Sequence, residues 1–269
     1  MAFVTAGGRR LEYEWAGVRP EADRGRAAAP TIVMLHEGLG SVALWRDFPA
    51  AVGAATGLPV LVYSRWGYGK SEPIAQGPRP VDYMDPEGRE VLPELLRKLE
   101  VTRPILLGHS DGGSIALIHA GSGIGPAPLG VITMAAHVFV ETVSTVSIAK
   151  ARVAYEESDL RAKLARFHDD VDGAFYGWNC TWLLPDFIRG FNIEADVTRL
   201  RCPLMAIQGA EDEYGTVKQL DSIREKSQGR AEIVLIPECR HSPHRDQKDA
   251  TLAAILRHVA RVRSAAAAA

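Results

Sequence analysis

Short apolar runs alternate along this chain with stretches of helical periodicity. TIVMLHEG (31–38), PVLVYSRWGYG (59–69), RPILLGHS (103–110), PLGVITMAAH (128–137), CPLMAIQGA (202–210) and AEIVLIPEC (231–239) are such runs. Continuous rather than alternating hydrophobicity is what parallel strands require when helices cover both faces. Helices are predicted from Ser41 to about Gly57, over 85–100 ending VLPELLRKLE despite Pro93, and through DGGSIALIHA. A closing helix sets Leu252, Ile255, Leu256, Val259 and Val262 on one face. Alternation over 3–18 (FVTAGGRRLEYEWAGV) predicts an antiparallel hairpin leading into the sheet. The fold class is therefore α/β, a mostly parallel sheet flanked by helices.

The alternation breaks once. Residues 141–199 carry no buried strand, but an amphipathic stripe (Val153, Leu160, Leu164, Phe167) and then Phe175, Tyr176, Trp178, Trp182, Phe187 and Phe191. This predicts a helical cap, or lid, over 141–199, inserted into a core domain made of 1–140 and 200–269. Its aromatics either seat the cap on the core or line a pocket. GRAAAP at 25–30 reads as a surface loop, and the alanine tail from 265 as a frayed helix end.

Composition narrows the function. Thirty-one basic residues against 33 acidic leave a net charge of −2, without the positive field that nucleic acid or an anionic membrane surface would need. Three scattered cysteines (Cys180, Cys202, Cys239) supply neither a disulfide framework nor a zinc knuckle. No apolar leader or membrane-length run is present, so a soluble, cytoplasmic protein is expected.

The strongest chemical signal is Gly108-His109-Ser110-Asp111-Gly112-Gly113. Its G-x-S-x-G core is weak alone, but here it follows an apolar strand and opens a helix. Such a turn is sharp, demands small flanking residues and lifts the serine hydroxyl above the sheet edge. A hydroxyl needs a base to take its proton. His241, in Pro237-Glu238-Cys239-Arg240-His241-Ser242-Pro243, lies past the last strand at the same sheet edge, with His244 as its rival. An imidazole base needs a carboxylate partner. Gly209-Ala210-Glu211-Asp212-Glu213-Tyr214 offers three acids after a strand; Asp212 is preferred, with Glu141 as a minor alternative. Oxyanion donors are expected from the Asp111 N–H and from His36-Glu37-Gly38-Leu39-Gly40, either Gly38 or Leu39.

With those motifs in that order, the sequence resembles the α/β-hydrolase-fold superfamily over about residues 31–260, closest to capped serine esterases and carbon–carbon bond hydrolases. The resemblance implies Ser110 as nucleophile, Asp212 as acid, His241 as base, no cofactor, and a cap after the sixth family strand. Glu37 stands where a second glycine is common, and Asp111 where an apolar residue is common. A serine at 110 separates the chain from relatives that use an aspartate nucleophile.

Other chemistries fit less well. His241-x-x-His244-x-Asp246 lacks further ligands for a metal. Gly38-Leu39-Gly40-Ser41-Val42-Ala43 approximates a dinucleotide fingerprint, but no ribose-binding acid follows Tyr63-Ser64-Arg65. A non-catalytic ligand-binding member of the fold is the remaining alternative. The expected substrate is a small ester that meets Glu37, Leu39, His137, Trp178 and Trp182. Acids at 37 and 111 disfavour an anionic dienoate unless a cap arginine such as Arg189 offsets them. A homodimer is compatible with all of this.

Overall fold

A computed structural model describes residues 1–17, 29–75 and 77–268. Val18, residues 25–28 of the expected loop and the terminal Ala269 fall outside the described residues.

One eight-stranded sheet organises the chain. Its strands are β1 (Ala2–Ala6), β2 (Arg9–Ala16), β3 (Thr31–Leu35), β4 (Val60–Tyr63), β5 (Pro104–His109), β6 (Gly130–Met134), β7 (Leu204–Gly209) and β8 (Ala231–Ile236). They lie in the order β1-β2-β4-β3-β5-β6-β7-β8. The β1–β2 hairpin joins antiparallel through β2 to β4, and every other neighbouring pair is parallel. Every residue of β3 to β7 is buried, whereas β8 at the edge is mostly half-buried. Continuous apolar runs thus became strands with no wet face.

Helices supply the two covers. α1 (Phe48–Thr56) comes first; α2 (Met84–Pro86) runs through a wide turn at Glu87–Val91 into α3 (Leu92–Lys98); α4 (Asp111–Ser122) follows β5. The insert holds α5 (Thr142–Glu157), α6 (Leu160–Leu164), α7 (Val171–Trp182), α8 (Pro185–Gly190) and α9 (Glu194–Arg199), and no strand among its described residues. α10 (Val217–Lys226), α11 (Pro243–Asp246) and α12 (Lys248–Ala268) close the chain. Phe48, Val52, Ile255, Val259 and Val262 cover one sheet face, and Leu92, Leu95, Ile115 and Ile118 the other.

Three elements depart from the sequence expectation, and a fourth, the helix through Pro93, holds as expected. The helix expected from Ser41 is interrupted at Arg46, whose φ is 54°, and restarts as α1 with Pro49 in its first turn, where a missing N–H costs nothing. Pro93 stays inside a helix: the wide turn before it absorbs the bond that Pro93 cannot donate. The stripe from Val153 to Phe167 is not one helix. Ser158 is extended and its hydroxyl donates to Ala154 O, so α5 ends there; Val153 is exposed and Phe167 lies beyond α6. In α12, Leu256 is 44% exposed, so the buried stripe is narrower than its spacing suggests.

Candidate active site

Six loops leave the carboxyl ends of the parallel strands at one sheet edge, the place where open α/β sheets present ligand sites. Ser110 sits between β5 and α4 with φ 51° and ψ −118°. A non-glycine residue held there is strained by about 1–3 kcal/mol and persists only where its surroundings fix it. The surroundings are explicit. A Cβ at Gly108 would run into Gly112 O, and one at Gly112 into the Leu35 carbonyl. The glycines of the motif are thus close-approach sites for backbone. Ser110 N also donates to Met134 O at 2.8 Å.

His241 and Asp212 reach Ser110 from the loops after β8 and β7. His241 Nδ1 lies 2.8 Å from Asp212 Oδ1, and His241 Nε2 lies 3.0 Å from Ser110 Oγ. An ionised carboxylate only accepts, so Nδ1–H donates to Asp212 and Nε2 is left to face the hydroxyl. Asp212 Oδ1 also accepts from Tyr214 N at 2.8 Å and Gly215 N at 3.2 Å. Burial would push this carboxyl up, but the charge and hydrogen bond of His241 hold it below the usual range. Burial likewise disfavours a charged His241, and Asp212 outweighs it, so the imidazole titrates above its ordinary 6.5.

The rival residues take other places. His244 is buried against Trp45, Phe48 and His109, and burial with the nearby His109 charge lowers it to about 2. His109 turns its Nε2 to His241 O at 2.7 Å. Glu213 holds the base loop, accepting from His241 N at 3.2 Å and pairing with Arg240. Glu211 is exposed. Glu141 braces the acid loop through Thr216 and Gln219.

The loop after β3 carries the other oxyanion candidates. His36 Nδ1–H donates to Glu37 O at 2.6 Å, and His36 Nε2 accepts from Arg65 N at 3.0 Å. Burial, then the Arg65 charge, keep His36 neutral by lowering it well below 6.5. Gly38 leaves no room for a side chain, because a Cβ there would strike the Trp178 indole of α7. Leu39 O accepts from His168 Nε2 at 2.9 Å, which ties the cap to this loop.

Charges near the site are compensated, which corrects the expectation of bare acids beside the pocket. The Glu37 carboxylate turns to His109 at 3.5 Å and Arg245 at 4.0 Å. Asp111, fully buried, lies 3.6 Å from the Arg65 guanidinium and accepts from Tyr83 OH at 2.5 Å. Trp182 Nε1 in turn donates to Tyr83 OH at 3.1 Å. Burial raises the Asp111 carboxyl, the Arg65 and Tyr83 contacts opposing it. Arg189 is exposed and pairs with Asp186. Around the His241 ring lie His137, 5.8 Å away and itself 5.1 Å from Trp182, and Tyr214, 4.6 Å away. Burial and the neighbouring His241 lower His137 to about 4, so it presents a neutral ring.

Sequence reasoning passed over Arg65, Tyr83, His168 and the backbone role of Glu213. For Arg65 a signal existed: a cation at the end of a fully apolar strand, matched by an acid at 111 where an apolar residue is usual. Among the described residues, no cluster of three His, Cys, Asp or Glu could hold a metal ion. No described helix is long and apolar enough to cross a membrane.

A strained serine at the strand-to-helix turn is thus faced by a histidine and an aspartate from the loops after later strands of an α/β sheet. The model of the Alpha/beta hydrolase family matches residues 32–254, and the chain belongs to that family. Among solved structures it is similar to the enol-lactonase from Burkholderia xenovorans LB400, at 19% identity, 95% of this chain, 98% of that one and TM-score 0.70. It is also similar to a carboxylesterase of the thaumarchaeon Nitrososphaera gargenis, at 16% identity, 98% and 99% coverage and TM-score 0.71. A third is the N-formylmaleamic acid deformylase from Pseudomonas putida S16, at 17% identity, 94% and 99% coverage and TM-score 0.65. At such identities the likeness is one of fold. A comparison with curated protein sequences gives no match.

Proposed function

We propose that this chain is a serine hydrolase that cleaves small, neutral carboxylic esters through an acyl-enzyme. The observation that carries the proposal is the hydrogen-bonded series Ser110 Oγ, His241 Nε2, His241 Nδ1 and Asp212 Oδ1, built on a serine with positive φ. Ser110 Oγ attacks the ester carbonyl while His241 Nε2 takes its proton, and Asp212 stabilises the resulting imidazolium. The N–H groups of Asp111 and of Gly38, with Leu39 as the alternative donor, receive the developing oxyanion. His241 then returns the proton to the leaving alcohol. Water, activated by the same imidazole, releases the acid from Ser110. No cofactor is needed.

Leu39, His137, Trp178 and Trp182 are the proposed walls for the acyl and alcohol groups, with Glu37 at the mouth and 141–199 acting as the selecting cap. Neutral, aromatic walls favour an uncharged ester over a dienoate that carries a carboxylate, and Arg189 is tied to Asp186 rather than aimed inward. That the relatives include an enol-lactonase and a carboxylesterase supports an ester-like bond. The test is labelling by a fluorophosphonate probe, located by mass spectrometry, together with kcat/KM for p-nitrophenyl acetate and butyrate against a 2-hydroxy-6-oxo-dienoate. Label on Ser110 and preference for the esters are expected. An unlabelled Ser110 removes the nucleophile, and preference for the dienoate moves the bond from ester to carbon–carbon.

A further inference from the structure

We infer that Arg65 is the positioning residue that aims both oxyanion donors; this rests on the serine-hydrolase proposal above. Arg65 is 1% exposed at the end of β4, and its guanidinium reaches the loop after β3 and the first residue of α4 together. Nη1 donates to His36 O at 2.6 Å and Nη2 to Glu37 O at 3.0 Å, while Nη2 lies 3.6 Å from Asp111 Oδ2. The backbone N–H of the same residue donates to His36 Nε2. One side chain therefore holds the two segments that supply the donors.

The planarity of the peptide bond turns this into a statement about direction. Glu37 C=O and Gly38 N–H are opposite ends of one rigid plane and point opposite ways. Glu37 O is fixed three times, by Arg65 Nη2, by His36 Nδ1–H and by the Gly40 N–H at 3.1 Å. Fixing the carbonyl fixes the heading of the Gly38 N–H. A cationic donor on that carbonyl also polarises the peptide, which strengthens its N–H as a donor to an anion. On the other side, Asp111 is held by Arg65 and by Tyr83 OH, and its backbone N–H opens α4. The acid at 111 and the cation at 65 are one device. A lysine delivers a single point charge and cannot span two carbonyls and a carboxylate as the planar fork does.

The test compares wild type with Arg65→Lys, Arg65→Met and the double variant Arg65→Met/Asp111→Asn. Removing both charges avoids leaving one buried alone, so the double variant keeps its fold where Arg65→Met alone loses it. Losing the aim of an oxyanion donor is expected to lower kcat for p-nitrophenyl butyrate about 10²- to 10³-fold, as for a deleted donor, with KM changed by no more than about threefold. Affinity for a trifluoromethyl ketone, which forms a tetrahedral oxyanion on serine, should fall in step with kcat. A folded double variant, or a folded Arg65→Lys protein, with wild-type kcat and ketone affinity overturns the inference and leaves Arg65 a charge-balancing residue. Wild-type labelling at Ser110 is measured first, and its absence defeats the nucleophile assignment instead.

Discussion

The two sides of the site are built by opposite means. On the core side, Ser110, His241 and Asp212 come from three strand ends and meet through short, directional hydrogen bonds. On the cap side, α5, α7 and α8 pack on one another through rings: Tyr155 stacks on Phe175 at 3.7 Å, Trp182 lies 4.9 Å from Phe187, and Phe187 lies 5.0 Å from Phe191. They face core rings at His137, 5.1 Å from Trp182, and Tyr83, 6.2 Å from Phe187. Hydrogen bonds lose most of their worth within a fraction of an ångström, whereas apolar contact tolerates a change of shape. One side holds an angle and the other holds a volume. Chemistry is therefore expected to be brittle to substitution, and substrate range to be pliable.

The largest effect tests the brittle side. Ser110→Ala and His241→Ala are each expected to reduce ester turnover on the order of 10⁶-fold, and no less than about 10³-fold, with the double variant little worse because the pair acts as a unit. Retained turnover in Ser110→Ala would remove the basis of the contrast. Asp212→Asn should cost about 10⁴-fold, since its Oδ1 gathers His241, Tyr214 N and Gly215 N at one point. Glu213→Gln keeps an acceptor for His241 N and should cost about tenfold or less, and exposed Glu211→Gln under about twofold. A steady-state ranking led by either glutamate would place the acid one residue away.

The pH profile sharpens the same side. The base must be neutral to accept a proton, and Asp212 holds the His241 pKa above 6.5. The acid limb of kcat/KM should therefore have its midpoint above 6.5 and fall about tenfold per pH unit below it. Asp212→Asn removes the charge that raises the pKa, so the limb should move to lower pH even as the plateau drops. A limb that stays in place would show that another group sets it.

The pliable side gives the smallest effects. Trp182→Phe keeps an aromatic plug but loses the donor to Tyr83 OH. It should shift the butyrate-to-acetate preference about tenfold, the scale of a methylene or two in a pocket, while fluorophosphonate labelling persists. Trp178→Ala opens space over Gly38 and should favour longer acyl chains to a lesser degree. Labelling lost from a folded Trp182→Phe protein would mean that the cap holds angles too.

The same contrast explains how much was legible beforehand. The strands, their order along the chain, and Ser110, Asp212 and His241 as neighbours follow from local grammar: an apolar run, a small residue, a polar residue at the strand's end. The structure brings those three together as that grammar suggests. The contacts that local patterns do not carry are long-range: Arg65 to Asp111, Trp182 to Tyr83, His168 to Leu39. For Tyr83 and His168 no period or motif points to the partner on another element; for Arg65 the only pointer is the unusual acid at 111. A single helix along the stripe from Val153 to Phe167 fails for the reverse reason: Ser158 ends α5 by a purely local bond that a hydrophobic stripe does not register.

The 131 residues that separate Ser110 from His241 set a timetable for the molecule. At about 5–20 residues per second, a ribosome that has made Ser110 needs roughly 7 to 26 more seconds to deliver His241. β7 and β8 complete the sheet only when both pair at the edge beside β6. Until that edge docks, Ser110 stands on its turn with neither base nor acid beside it, and the nascent enzyme is chemically silent. The activity proposed for this chain is thus a clock that starts only when the last strand closes, and a truncation anywhere before 241 is expected to stop it.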